Sequence, residues 1–509
     1  MRHVVLANKS DGGDVQEELR DLVSFPDFEP DCSSRIVNLK TTIWPYTTWS
    51  VHLAHIKMTR LSGTILAVTA MAYPALAARQ PSIRAYTPAA QQASSGNSVT
   101  SNVLSLKKGK KAAKSAGHLG TLRSNVSSSS KHRYGAEPVD NLDSVEYVAE
   151  IEWDGTPVEV IVDTGSSDTW LVQAGFTCVD VDGNVQPEAD CYFGPVFNGT
   201  FDEGSIKDEN FNIEYGDGEF LTGVLGYENV TVAGLTVDHQ EVALVNYSYW
   251  FGDSVTSGLM GLAYPLLTSA YQGTNTSADS LSTQVEYDPI ITTLIKEKII
   301  DPVFSLALDR NSDSGYLALG GLPPVSHTGS FATTPVLMLE IYDEPKMATQ
   351  YSFYTIIADA YIYDGSEKRT QVNTDSWSKL AAPATVNTTQ FPVIVDSGTT
   401  LLYLPTDLYD DIAALYDPPA VYIEDEGASF APCNASVPYV GVKIGGTVFN
   451  ISDADLLMQE IVDPTTGYCL IGPQDGGSGP YILGDTFMNN VISVFDIGAS
   501  EIRFAAHDY

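Results

Sequence analysis

Beyond residue 144 the chain is written in short apolar–polar alternations, each soon broken by Gly, Asn or Asp. A period of two places every second side chain on one face, which is what a half-buried strand needs. Segments 147–151, 158–162, 211–215, 230–232, 303–308, 316–319, 393–395, 492–495 and 501–505 carry strand character. The longer period of an amphipathic helix is best developed over 288–298 and 408–416. These patterns predict a mostly-β protein.

The first part of the chain has another texture. Met58-Thr59-Arg60 leads into a largely apolar run over 61–72, followed by Pro74-Ala75-Leu76-Ala77-Ala78. A basic start, a short apolar stretch and a small-residue cleavage site are the parts of a secretory signal peptide. A membrane span would need about 20 apolar residues. Residues 58–78 are therefore read as a signal peptide, a short buried helix being the plainer alternative. Such a peptide normally opens a chain, so residues 1–57 are expected to be an upstream extension, with translation starting at Met58.

Residues 79–140 are rich in Ser, Ala, Gln and Lys and show little apolar periodicity. From Ala78 to Ala136 there are ten Lys and Arg and no Asp or Glu. A basic stretch ahead of an acidic body is either a solvated linker or a pro-segment held on that body by charge. We read it as a pro-segment, with candidate processing sites at Lys107-Lys108, Lys110-Lys111 and Lys131-His132-Arg133. The mature chain would then begin between His132 and Val145.

Composition narrows the function classes. A chain of 509 residues exceeds one ordinary domain, and two lobes are expected. With 43% hydrophobic and 18% charged residues it is globular rather than disordered. The net charge of −37 would repel phosphate and argues against a nucleic-acid partner. The same charge serves solubility, or a protein working at low pH where many carboxylates are neutral. None of the five cysteines (Cys32, Cys178, Cys191, Cys433, Cys469) sits in a CxxC pair, which speaks against a zinc or redox site. Cys178 with Cys191 would close a short loop and Cys433 with Cys469 a longer one; Cys32 falls in the upstream extension. Two disulfides suit an exported protein, as do the sequons at Asn198, Asn229, Asn246, Asn275, Asn387, Asn434 and Asn450. No membrane span or lipid-anchor tail is read. The expected location is extracellular, with vacuole or cell wall as alternatives.

One pattern occurs twice. Val160-Ile161-Val162-Asp163-Thr164-Gly165-Ser166-Ser167 is matched by Val393-Ile394-Val395-Asp396-Ser397-Gly398-Thr399-Thr400. Each copy runs from an apolar strand into an acid, a hydroxyl residue and a glycine. Each is followed downstream by an apolar-apolar-Gly element, Leu259-Met260-Gly261 and Ile482-Leu483-Gly484. This reads as an internal duplication with copies about 230 residues apart. Peptide hydrolysis by such a pair needs a water made nucleophilic and a leaving amine that is protonated. Two facing carboxylates sharing one proton can do both, because like charges so close cannot both ionise easily. Thr164 and Ser397 can lock the loops, Ser166 and Thr399 can hold the carboxylates, and Gly165 and Gly398 allow close backbone approach. A single Asp-Thr-Gly would be an ordinary strand-end turn.

Asp163-Thr164-Gly165-Ser166-Ser167-Asp168-Thr169-Trp170 and Asp396-Ser397-Gly398-Thr399-Thr400 resemble the two active-site loops of the pepsin-like aspartic protease family, fungal members included. Tyr215-Gly216-Asp217-Gly218, the run Gly258–Tyr264 and Ile482-Leu483-Gly484-Asp485-Thr486-Phe487 match in order and spacing, so that the resemblance covers about residues 145–509. It implies a bilobal fold of two duplicated β-barrel-like lobes, 141–330 and 331–509, with the active-site cleft between them. It implies an aspartic endopeptidase with Asp163 and Asp396 catalytic, acting on proteins or peptides as a monomer, without cofactor or metal. Tyr215 resembles the tyrosine of a hairpin flap that closes over substrate, and Trp170 its hydrogen-bonding partner. Asp217 resembles the flap aspartate of fungal members that tolerate a basic P1 residue. The Cys433–Cys469 pair is consistent with the family's C-lobe disulfide. The pro-segment would be an intramolecular inhibitor, with Lys131 or Arg133 as candidate occluders. Departures are the long polar stretch 175–210 and the long stretch 337–383, which leave substrate preference open. Two rivals remain: a non-catalytic member of the fold, which loss of an acid or glycine would mark, and a glycosylated structural wall protein, which would need neither flap tyrosine nor basic pro-segment.

Overall fold

Except for Tyr215 and Leu308, each one residue beyond the end of its strand, the segments predicted as strands lie in strands of the computed structural model. It describes residues 98–110, 145–310, 315–338, 350–365, 384–424 and 426–508, all within one unit spanning Ala77–Tyr509. The readings for 1–57, for the signal peptide and for most of the pro-segment, Lys131 and Arg133 included, lie outside the described residues.

The strands that build the first half of the fold are Val103–Lys110 (β1), Val145–Trp153 (β2), Thr156–Asp163 (β3), Thr169–Cys178 (β4), Glu209–Glu214 (β5), Phe220–Val232 (β6), Leu235–Tyr249 (β7) and Gly258–Gly261 (β8). They belong to a 15-stranded sheet in the order β5-β6-β7-β4-β8-β3-β2-β1, which continues through Gly315–Leu319, Val303–Ala307, Val491–Asp496 and Glu501–His507. The end of the chain is thereby sewn to its middle. A 5-stranded sheet and two 4-stranded sheets complete the second half.

The repeat seen in the sequence is a repeat of topology. β3 pairs parallel with β8, and β8 pairs antiparallel with β4. In the second half, Pro392–Val395 pairs parallel with Ile482–Leu483, which pairs antiparallel with Leu402–Leu404. The fold is thus mostly β and bilobal. Each lobe's acid-bearing strand lies buried on both faces, which explains why Val160, Ile161 and Val162 read as a continuous apolar run rather than an alternation.

Helices fall where expected but are shorter, Ile290–Lys296 and Thr406–Ala413. Pro289 and Pro405 precede them, and a proline fits the start of a helix while refusing its interior. β1 runs against the reading, since it falls inside the segment read as an aperiodic pro-segment. Its apolar side chains are few, but Leu106 is fully buried, and the strand bridges β2 and Gly315–Leu319. A short alternation becomes a strand here because two neighbours offer it unpaired edges.

Contacts between the halves fix the floor beneath the acids. Phe304 and Phe495 stack with ring centroids 4.6 Å apart, and Tyr354 packs on Phe495 at 4.7 Å. The Tyr354 hydroxyl donates to the Leu262 carbonyl at 2.7 Å, and the buried Tyr147 hydroxyl donates to Asn489 Oδ1 at 2.6 Å. A close-packed interior of this kind resists small displacements, which a site built from two lobes requires.

Candidate active site

Asp163 ends β3 and Asp396 follows Pro392–Val395, so two equivalent strands deliver the two acids to one place. Both are nearly enclosed, at 5% and 9% exposure. The loops carrying them interlock. Thr164 Oγ1 donates to the Val395 carbonyl at 3.1 Å, and Ser397 Oγ donates to the Val162 carbonyl at 2.9 Å. The Thr164 N–H donates to Ser397 Oγ at 3.2 Å and the Ser397 N–H to Thr164 Oγ1 at 3.0 Å. Each hydroxyl therefore both donates and accepts, leaving no buried polar group of the pair wasted.

The carboxylates are held in matching ways. Asp163 Oδ1 accepts the Gly165 N–H at 2.6 Å, and its Oδ2 accepts the Ser166 hydroxyl. Asp396 Oδ1 accepts the Gly398 N–H at 2.9 Å, and its Oδ2 accepts Thr399 Oγ1 at 2.7 Å. The two carboxyls lie close enough for Asp396 to act on Asp163. A methyl group on Gly165 would stand 2.6 Å from both carboxylate oxygens of Asp396, and one on Gly398 would meet the Asp163 carboxylate. Glycine is thus required by the close approach of each loop to the opposite acid. Burial, and then the charge of Asp396, push the Asp163 carboxyl well above the usual carboxylate range.

The hairpin of β5 and β6 carries Tyr215 at its turn. The Tyr215 N–H donates to the Glu219 carbonyl at 2.8 Å, and Trp170 Nε1 donates to the Tyr215 hydroxyl at 2.9 Å. Gly218 occupies the left-handed region at φ 86°, which the tight turn requires; Gly216 has open space where a Cβ would stand. Asp217 Oδ1 accepts the Glu219 N–H at 3.0 Å. Disulfides join Cys178 to Cys191 and Cys433 to Cys469.

Several residues of the site carried no separate signal. Asp168 is fully buried and accepts the Tyr287 hydroxyl at 2.6 Å and the Ser269 N–H at 2.9 Å, pinning the loop after Asp163. Asp485 is 2% exposed, and neither of its carboxyl oxygens has a hydrogen-bond partner among the described residues. Burial, and then the Asp396 charge, push it well above the usual range. Both acids stand inside the Asp163–Trp170 and Ile482–Phe487 motifs, but only the folded environment shows that they are buried.

Two interlocked loops present a facing pair of buried aspartates on a duplicated β fold. The chain belongs to the pepsin-like eukaryotic aspartyl protease family, whose model matches residues 146–507. It is 41% identical over 399 residues to a probable aspartic-type endopeptidase of Aspergillus fumigatus, covering 76% of this chain and 84% of that one. Gastricsin of Suncus murinus is 27% identical over 72% of this chain and 83% of its own. The crystal structure of an aspartic proteinase from Irpex lacteus superposes with a TM-score of 0.51 at 19% identity, covering 72% of this chain and 95% of that one. The protein is an aspartic-type endopeptidase. Among the described residues no helix is long and apolar enough to cross a membrane.

Proposed function

We propose that the protein is a secreted aspartic endopeptidase, made as a zymogen, which cleaves peptide bonds at acidic pH with water activated between Asp163 and Asp396. The observation that carries this reading is the pair itself, two buried carboxyls held close together with Asp163 driven toward its protonated form. With Asp163 raised, the pair keeps one proton as pH rises beyond the usual carboxylate range. The ionised carboxyl takes a proton from water as the oxygen attacks the scissile carbonyl carbon. The protonated one donates to the carbonyl oxygen as negative charge develops there. Collapse of the tetrahedral intermediate breaks the C–N bond; the proton taken from water passes to the leaving nitrogen, and the diol returns a proton to the carboxylate that had donated one. Thr164, Gly165, Ser166, Ser397, Gly398 and Thr399 hold the carboxyls in register for these transfers. Tyr215, positioned by Trp170, closes over the peptide, and Asp217 beside it favours a basic P1 side chain.

The zymogen reading has its support in β1. Its Lys107 pairs with Glu159, and Lys108 lies 3.3 Å from Glu460, so basic residues of the expected pro-segment meet acids of the body. Acidification neutralises carboxylates and weakens such pairing. Cleavage of a denatured protein at acidic pH should be blocked by pepstatin-type inhibitors and abolished in Asp163→Asn and Asp396→Asn. No cleavage by the processed wild-type protein anywhere in the acidic range would overturn the proposal. N-terminal sequencing of the secreted product tests export and maturation together; material retaining residues 1–57 would refute the Met58 start.

A further inference from the structure

We propose that Glu219 is a positioning residue for substrate binding, its buried carboxylate tying the Tyr215 hairpin turn to the backbone at Phe251. The proposal rests on the reading of Tyr215 as the residue that closes over substrate.

A glutamate one position beyond a Gly-Asp-Gly turn would ordinarily point into water. Glu219 is instead 2% exposed, and its Oε1 accepts the Phe251 N–H at 2.7 Å. Its backbone is committed as well: its carbonyl accepts the Tyr215 N–H at 2.8 Å, and its N–H donates to Asp217 Oδ1 at 3.0 Å. The main chain of Glu219 thus closes the turn that carries Tyr215, while its side chain reaches a different segment.

That segment is itself anchored. The Gly252 N–H donates to the Cys191 carbonyl at 3.1 Å, and the Ser254 N–H to the Tyr192 carbonyl at 2.7 Å. Trp250 meets Tyr215 edge-on at 5.7 Å and Trp170 edge-on at 5.4 Å, and stacks on Phe193 at 5.9 Å. A continuous set of contacts therefore runs from the Cys178–Cys191 loop through residues 250–254 to Glu219 and the turn. The turn itself, with glycines at 216 and 218, has little side-chain mass of its own to hold it. A hydrogen bond in an enclosed place is costly to lose, because the partner left behind stays desolvated. Placed here, it reduces the number of positions the turn can adopt before a peptide arrives, and pre-ordering of that kind is expressed in binding.

The test uses the full chain, expressed and allowed to process, as wild type, Glu219→Ala, Glu219→Gln and Tyr215→Ala. Steady-state cleavage of a fluorogenic peptide is measured alongside amide hydrogen exchange of segments 211–222 and 247–254 without substrate. Glu219→Ala is expected to raise KM about tenfold while changing kcat less than about twofold, and to speed exchange in both segments. Glu219→Gln, whose amide oxygen still accepts from Phe251, should stay close to wild type in both readouts. Unchanged KM and exchange in Glu219→Ala would overturn the proposal, as would a fall in kcat and thermal stability at constant KM. If Glu219→Ala does not accumulate folded, Glu219→Asp, which withdraws the acceptor by one methylene, carries the same expectation. Tyr215→Ala separates the two ideas: unchanged kcat/KM there refutes the role of Tyr215, whereas the exchange data report on the Glu219 tie whatever Tyr215 does.

Discussion

Thr164 and Ser397 hold each other across the junction of the two lobes, each hydroxyl donating to a carbonyl of the opposite strand and accepting the other's backbone N–H. The arrangement makes the spacing of the two acids a property of backbone rather than of flexible side chains. Thr164→Ala removes one donor and one acceptor at once, stranding the buried Val395 carbonyl and Ser397 N–H. At roughly 1–3 kcal/mol for each buried group left unpaired, a loss of about 2–6 kcal/mol is expected. Chemical denaturation measures it, and kcat should fall with it because the acids lose their register. Thr164→Ser keeps the oxygen and should recover most of both; equal damage from Ser and Ala would mean that the methyl group, not the hydrogen bonds, matters.

Gly165→Ala separates geometry from stability. The new methyl would stand 2.6 Å from both carboxylate oxygens of Asp396, so the carboxylate must move. A displacement on the order of 1 Å in a reacting group costs about a hundredfold in rate. The expected result is a kcat loss of about that size with an unfolding midpoint much less affected. Retained kcat would show that the site tolerates a wider separation of the acids than its geometry suggests.

What the sequence revealed and what it hid divide along a physical line. Strand positions and the duplicated Asp-(Thr/Ser)-Gly loops were legible because they rest on local rules: alternation, turn chemistry and repetition. The mutual grip of Thr164 and Ser397 was legible only in outline, as hydroxyls able to lock loops, because their partners lie more than 230 residues away in the chain (233 for Thr164 and Ser397). Burial of Asp168, Glu219 and Asp485 was hidden altogether, since an acid in a polar motif looks solvated until long-range packing encloses it. β1 was missed for a related reason. Four residues of alternation in a lysine-rich stretch carry little local preference, and the strand owes its existence to the edges it fills.

The Cys178–Cys191 bond closes a loop of 13 residues separation beside Phe193, which packs on Trp170 and Trp250 behind Tyr215. Restricting so short a loop in the unfolded chain is worth about 2–3 kcal/mol. The double variant Cys178→Ser, Cys191→Ser should lose about that much stability and also raise KM, because the loop buttresses the hairpin. Denaturation and peptide kinetics on the same preparation check both. A stability loss with unchanged KM would confine the disulfide to a scaffolding role.

Glu241 makes the pH dependence of stability testable away from the Asp163–Asp396 pair. It sits on β7, and burial first, then the charges of Glu209, Asp168 and Asp288, raise its carboxyl from 4.5 to about 7. Its Oε1 is buried with no hydrogen-bond partner among the described residues. Below pH 4.5 the group is protonated whether the chain is folded or not, and it costs nothing. Between 4.5 and 7 the unfolded chain releases the proton while the folded chain keeps it, so stability falls as pH rises and is lost once pH passes about 7. At about 1.4 kcal/mol per unit, and discounting for partial exposure, the effect at neutral pH is about 1–3 kcal/mol. Asp163 and Asp485 are displaced in the same direction. Glu241→Gln should therefore raise the thermal unfolding midpoint at pH 7 and leave it nearly unchanged at pH 4. An equal shift at both pH values would trace the gain to packing of the amide and not to the proton, and would remove Glu241 from the account of acid stability.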